Sequence, residues 1–144
     1  MSVASGISIA LKACLAEIKP ANGFTTDLKQ VYGPTERVRD KAPMPYALVR
    51  PASDVRTGAA SFQATRQRTY EIEVVFSRGA TESDLDAVHV DVLRALGFGL
   101  DLYERKFPGL IEDEDSAEPR FASEGETTHS ITITIGVLYV EHYN

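Results

Sequence analysis

The chain has one cysteine, Cys14, in 144 residues, so no intrachain disulfide can form and nothing points to an oxidising compartment. No apolar run approaches the ~20 residues of a membrane span. The N-terminus has no basic segment followed by an apolar run, so no signal peptide is expected and a cytoplasm-like setting is the default. Catalytic motifs are missing too. There is no Gly-x-Gly-x-x-Gly, no Gly-Lys-Ser/Thr phosphate loop and no Gly-x-Ser-x-Gly elbow. The three histidines, His89, His129 and His142, share no short metal-ligand spacing. The acidic run Glu112-Asp113-Glu114-Asp115, with Glu118, lacks the glycine-enforced turn of a calcium loop and reads as a solvated loop. Aromatics are not interleaved with basic residues as on a single-strand nucleic-acid platform. No enzyme, cofactor or metal chemistry is therefore expected from motifs.

What remains is an ordinary globular composition of a length that fits one domain. A domain of this size buries roughly 70% of its unfolded surface and needs no metal or disulfide to fold. The net charge of −6 hides an asymmetry. Residues 1–78 hold eleven Lys/Arg and seven Asp/Glu, a balance of +4, whereas residues 79–144 hold four and fourteen, a balance of −10. Uneven charge can mark an interaction surface, but interleaving of the two halves in the fold would average it out, and interleaving is the expectation.

The clearest element is the C-terminal strand from Thr128 to Tyr143. Strand side chains alternate between faces, which places Ile131, Ile133, Ile135, Val137 and Tyr139 on one side. Thr132, Thr134, Gly136, Leu138 and Val140 fall on the other. The odd-numbered side is the candidate core face; Leu138 and Val140 call for cover from a second layer or a neighbouring subunit. Arg66 to Arg78 is a second alternating strand, with Tyr70, Ile72, Val74 and Phe76 inward, and is the expected partner of the first.

Two amphipathic helices are predicted. Ala4 to Lys19 carries the stripe Ile7, Leu11, Cys14, Leu15 and Ile18, and Pro20 stops it; Cys14 reads as a small core residue rather than a reactive thiol. Thr81 to Leu96 has an N-cap at Thr81, acids at Glu82 and Asp84, a stripe of Leu85, Val88, Val92 and Leu96, and a C-cap at Gly97. His89 sits at the edge of that stripe.

Between these elements lie a turn at Ala21-Asn22-Gly23 and a short strand within Phe24–Tyr32. A basic loop follows over Thr35–Pro45 with Arg37, Arg39 and Lys41, and then a short strand Tyr46–Arg50 closed by Pro51. Ser53 to Thr65 lacks apolar periodicity and reads as a long irregular connection, a type of segment that often carries function. Its one large apolar residue, Phe62, either folds back on the core or anchors the segment to a neighbour. Gly99–Ile111 reads as a loop packed over the core. Pro119, Phe121 and Ala122 read as a short edge strand with Phe121 inward. The fold class is α+β, a mixed, mainly antiparallel sheet packed by two main helices, as a single domain over 1–144.

This order of elements resembles the tail terminator (tail completion) proteins of long-tailed bacteriophages and phage-like particles. The resemblance spans essentially the whole chain. It includes the early helix followed by Gly-Phe-Thr-Thr-Asp-Leu at 23–28, the Pro-Tyr-Ala-Leu-Val-Arg strand at 45–50, and the two long alternating strands around the Thr81 helix. The resemblance implies a mixed sheet flanked by helices and a virion protein without catalysis. It also implies a homo-oligomeric, six-fold ring on the head-proximal end of the tail. That ring binds the tail tube protein, ends tube polymerisation and receives the head connector or stopper protein, while DNA passes its lumen without specific binding. No membrane and no cofactor are implied.

A cyclic ring needs unlike surfaces on one subunit, which a basic N-terminal half and an acidic C-terminal half can supply. Candidate contact residues for subunit or tube are Arg50, Arg56, Phe62, Arg66, Arg68, Leu138 and Val140, since arginine and exposed apolar groups favour interfaces. Phe62→Ala, or Arg66→Glu with Arg68→Glu, is expected to spare the fold and impair these contacts. The alternatives are a neck connector or stopper protein, and, from another class, a small ligand-binding domain or enzyme marked by a deep polar pocket.

Overall fold

The computed structural model describes residues 1–99, 107 and 109–144, with backbone alone for 112–114. Helix α1 spans Val3–Ala16 and α2 spans Glu82–Leu96. The strands are β1 Gln30–Tyr32, β2 Tyr46–Ala60, β3 Gln63–Ser77, β4 Leu110–Arg120 and β5 Thr128–His142. They form one sheet in the order β1-β2-β3-β5-β4. Among the described residues only the β1–β2 pair is parallel; the other three ladders are antiparallel. The class is α+β, with a mixed, mainly antiparallel sheet.

The core lies on one face of the sheet. Leu11, Leu15 and Ile18 from the first helical segment and Leu85, Val88, Val92 and Leu96 from α2 pack on Tyr70, Ile72, Val74, Ile131, Ile133 and Ile135, all fully enclosed. Each such side chain contributes roughly 1.5–3 kcal/mol by leaving water. Cys14 is part of this core. The odd face of β5 and the even face of β3 meet as their alternation predicts, in register from Gln63↔His142 to Ser77↔Thr128.

Local chemistry sets the helix ends. Thr81 caps α2 in a full capping box with Asp84, and Gly97 closes it at φ 89°. α1 ends at Ala16 rather than Lys19. The next residues tighten into a 3-10 turn at Pro20–Asn22, and Gly23 takes φ 88°. Asp91, almost fully buried on α2, accepts the Thr25 and Thr26 amides at 3.3 and 2.7 Å and fixes the chain entering β1.

Four expectations are corrected. Ser53–Thr65 is not an irregular connection: β2 runs through it to Ala60, and a two-residue turn, Ser61-Phe62, leads straight into β3. Pro51 does not close β2. The ladder shifts register between Pro51 and Ser53 and again between Arg56 and Gly58, so the proline sits beside an irregularity in the ladder. The acidic run is not a loop but part of edge strand β4, where the ladder steps from Ile111↔Gly136 to Ser116↔Thr134. Phe121 lies just past β4, is exposed and sits edge-on to His129, because the strand ends at Arg120. Of the expected 99–111 loop, Leu100, Leu102, Tyr103 and Pro108 lie outside the described residues; Phe107 and Leu110 join the core.

The two sequence halves do not interleave. Residues 1–78 supply α1 and the adjacent strands β1, β2 and β3; residues 79–144 supply α2 and the adjacent strands β5 and β4. The β3–β5 ladder is their common boundary, so the charge asymmetry survives folding.

Candidate interaction surface

The far ends of β2, β3 and β5 form a three-stranded arm. β1 pairs only with Tyr46–Leu48, and β4 reaches no further along β5 than Val137. From Ser53 to Ala60 nearly every residue is exposed. The arm therefore relies on its ladder and on side-chain pairing more than on the core.

On the helix side of the arm, Asp54 is a hub. Its carboxylate accepts from Arg66 Nε at 2.5 Å, from Arg68 Nη1 at 3.0 Å and from the Tyr139 hydroxyl. Register explains the meeting: Asp54 lies opposite Arg68, and Tyr139 lies opposite Arg66. Burial pushes the Asp54 pKa up, but donation from Tyr139, Arg66 and Arg68 outweighs it, and the carboxyl stays below the usual range. Burial and then the bond to Asp54 push Tyr139 up to about 12. Arg66 also donates to the Tyr143 hydroxyl at 3.2 Å, and Arg68 donates to the Tyr70 hydroxyl at 2.9 Å, which in turn bonds Ser8 at 2.6 Å. Glu141 completes the base of the arm by accepting the Val3 and Ala4 amides at 3.1 and 3.2 Å, a carboxylate at the positive end of α1.

The opposite side of the arm faces away from the helices and is apolar at several points. Val55 and Leu138 flank Gln67 across three strands, and Val140 pairs with Thr65 one step outward. Val55, Leu138 and Val140 are 58%, 44% and 39% exposed. At the tip, Phe62 is 71% exposed and holds φ 59°, a left-handed conformation rare for a bulky residue. Its carbonyl accepts the Tyr143 amide at 2.7 Å, which pins the turn to the end of β5.

The seven candidate contact residues thus fall into three groups. Phe62, Leu138 and Val140 are open apolar surface, joined by Val55, which the missing periodicity of Ser53–Thr65 concealed. Arg66 and Arg68 are committed to Asp54, so their reversal to glutamate tests the arm's integrity rather than a free surface. Arg50 pairs loosely with Glu71 at 3.4 Å and Glu73 at 3.6 Å, while Arg56 is exposed and makes no ion pair among the described residues. Asp54 and Tyr139 carry the cluster yet have no signature in sequence; once the hairpin turn is placed at Ser61-Phe62, register alone brings them together.

His89 Nε2 lies 3.1 Å from Asp115 Oδ1, a contact between α2 and β4. Among the described residues no group of three or more His, Cys, Asp or Glu side chains converges as a metal set. No helix among them is long and apolar enough to cross a membrane.

No protein-family model matches the chain, and no curated protein matches it. One solved structure is 17% identical, covers 94% of both chains and superposes with a TM-score of 0.54. At that identity the likeness shows the fold alone.

Proposed function

We propose that the chain is the tail terminator of a phage-type particle, a structural protein that forms a ring on the end of the tail tube and gives the head connector its seat. The observation that carries this reading is the tip of the arm. Phe62 combines a strained backbone with 71% exposure, at the end of a ribbon whose helix-free side leaves Val55, Leu138 and Val140 in water. An exposed aromatic held in an unfavourable conformation fits a contact residue better than a folding residue. The resemblance in element order, from the early helix to the two long strands, supplies the particle.

Deleting the gene should give tails of uncontrolled length without heads. Head-bearing particles of normal length would refute the reading, and correct-length tails that fail to join heads would move the protein to the neck. At the residue level, Phe62→Gly relieves the positive φ and should hold stability within ~1 kcal/mol of the parent. It should nonetheless weaken capping of tube ends at least about tenfold, as counted on micrographs of tubes mixed with purified protein. Capping at parental strength would remove Phe62 from the contact.

A further inference from the structure

The two outer edges of the sheet are unlike, and their difference is electrostatic. At one edge, β1 covers only the first three residues of β2, and from Val49 to Ala60 no strand lies outside β2 among the described residues. The connection between β1 and β2 carries Arg37, Arg39 and Lys41, and β2 itself carries Arg56. All four are exposed and make no ion pair among the described residues, with only Asp40 similarly free beside them. The neighbouring Lys12, Lys19 and Lys29 are already paired with Glu36 or Asp27. At the other edge, β4 carries Glu112, Asp113, Glu114, Asp115 and Glu118 against a single Arg120, which pairs with Glu126. α2, which contacts β4 through His89 and Asp115, carries exposed Glu82 and Asp86, respectively two turns and one turn before His89.

An open strand edge offers unpaired amides and carbonyls to any strand that can approach it. Charge decides which approach succeeds. Two basic edges repel, as do two acidic edges, whereas a basic edge and an acidic edge attract. We infer that the β1–β2 edge and the β4 edge are the two halves of a head-to-tail contact between copies of this chain. Such a contact is heterologous, so it propagates and closes into a ring when the rotation per copy allows. The inference rests on the ring reading for its purpose, but its physical content is a self-association that needs no tail.

The test is a pair of charge-reversed chains, one with Arg37→Glu, Arg39→Glu, Lys41→Glu and Arg56→Glu, the other with Glu112→Lys, Asp113→Lys, Glu114→Lys and Glu118→Lys. Light scattering after size exclusion should find the parent assembled at low salt and dissociating as salt shortens the screening length. Each variant alone should be folded by circular dichroism and at least about tenfold weaker in association. An equimolar mixture should assemble again, with the two variants alternating, because every edge then meets its opposite. If the acidic-edge variant does not fold, Glu118→Lys alone, at an exposed position, takes its place.

A parent chain that stays monomeric at every concentration reached would overturn the inference, as would a reversed variant that assembles like the parent or a mixture that does not recover. Parent rings that do not seat on tube ends would instead sink the tail reading and leave this contact standing. Rings on tubes that both variants form equally well would do the reverse.

Discussion

Gly109→Ala should destabilise the chain by roughly 2–5 kcal/mol, the largest effect of any single methyl addition at a described glycine. Gly109 sits at φ 84°, and a Cβ there would lie 2.3 Å from the carbonyl oxygen of Leu138, a backbone atom that cannot swing away. The same glycine accepts the Leu138 amide at 2.7 Å, so its position is fixed by the ladder it opens. Gly125 is the matched control: its φ is 85° with nothing within 4 Å of the added carbon. Gly125→Ala should therefore cost only the conformational ~1–2 kcal/mol. Thermal unfolding measures both, at about 2–4 °C per kcal/mol for a domain of this size. Equal losses at the two positions would mean that β4 can move off β5 without harm.

Asp54→Ala should loosen the arm while sparing the core. Removal of the carboxylate leaves Arg66 and Arg68 side by side without their shared anion and strands the Tyr139 hydroxyl, a loss on the order of 2 kcal/mol. The Asp54 carboxylate bonds side chains of the distal strands, and the cluster reaches the core through Arg68, Tyr70 and Ser8. The loss should therefore appear mainly as faster amide exchange in Ser53–Thr69 and in β5 beyond Val137, with Ile133 and Ile135 still protected.

The sign of the pH dependence follows from the same groups. The Asp54 pKa is lowered in the fold, so its contribution is full above the ordinary carboxylate value of 3.8 and is lost as pH falls through the lower folded value. Tyr139 is raised from 10 to about 12, so its contribution is full below 10 and is lost as pH rises toward 12. The arm should be tightest between these limits. In Asp54→Ala, ultraviolet titration should bring Tyr139 back toward the ordinary phenol value. Tyr139 still titrating near pH 12 in that variant would mean burial alone holds it.

Sequence periodicity was a reliable guide wherever the core does the folding. The stripes of α1 and α2 and the alternation of β3 and β5 are all records of one buried face, and those elements stand where they were expected, except that α1 stops at Ala16. The arm left no such record, because Ser53–Thr65 has water near both sides and is held by ladder bonds and the Asp54 cluster. Its turn is equally silent: Ser61-Phe62 is not the Asn-Gly type of pair that announces a tight hairpin. Acidic composition misled in the same way at β4, where Glu112–Asp115 reads as solvated loop but lies on a strand at the sheet edge, a position that tolerates charge. Of the contact residues proposed from sequence, the apolar ones are exposed as required, whereas Arg66 and Arg68 turn inward to a partner that only the register reveals.

The partition of the sheet by sequence halves also sets an order of assembly in time. The β2–β3 and β4–β5 hairpins close through short connections, at Ser61-Phe62 and across residues 121–127. The ladder that joins them, β3 with β5, bridges roughly fifty to eighty residues of chain and carries the greatest loop-closure entropy. Two locally formed hairpins that then zip along one long seam are the route of least entropic cost. Until that seam closes, the nascent chain presents the unpaired sides of β3 and β5, its most apolar strands, so synthesis is the period of its greatest exposure to aggregation.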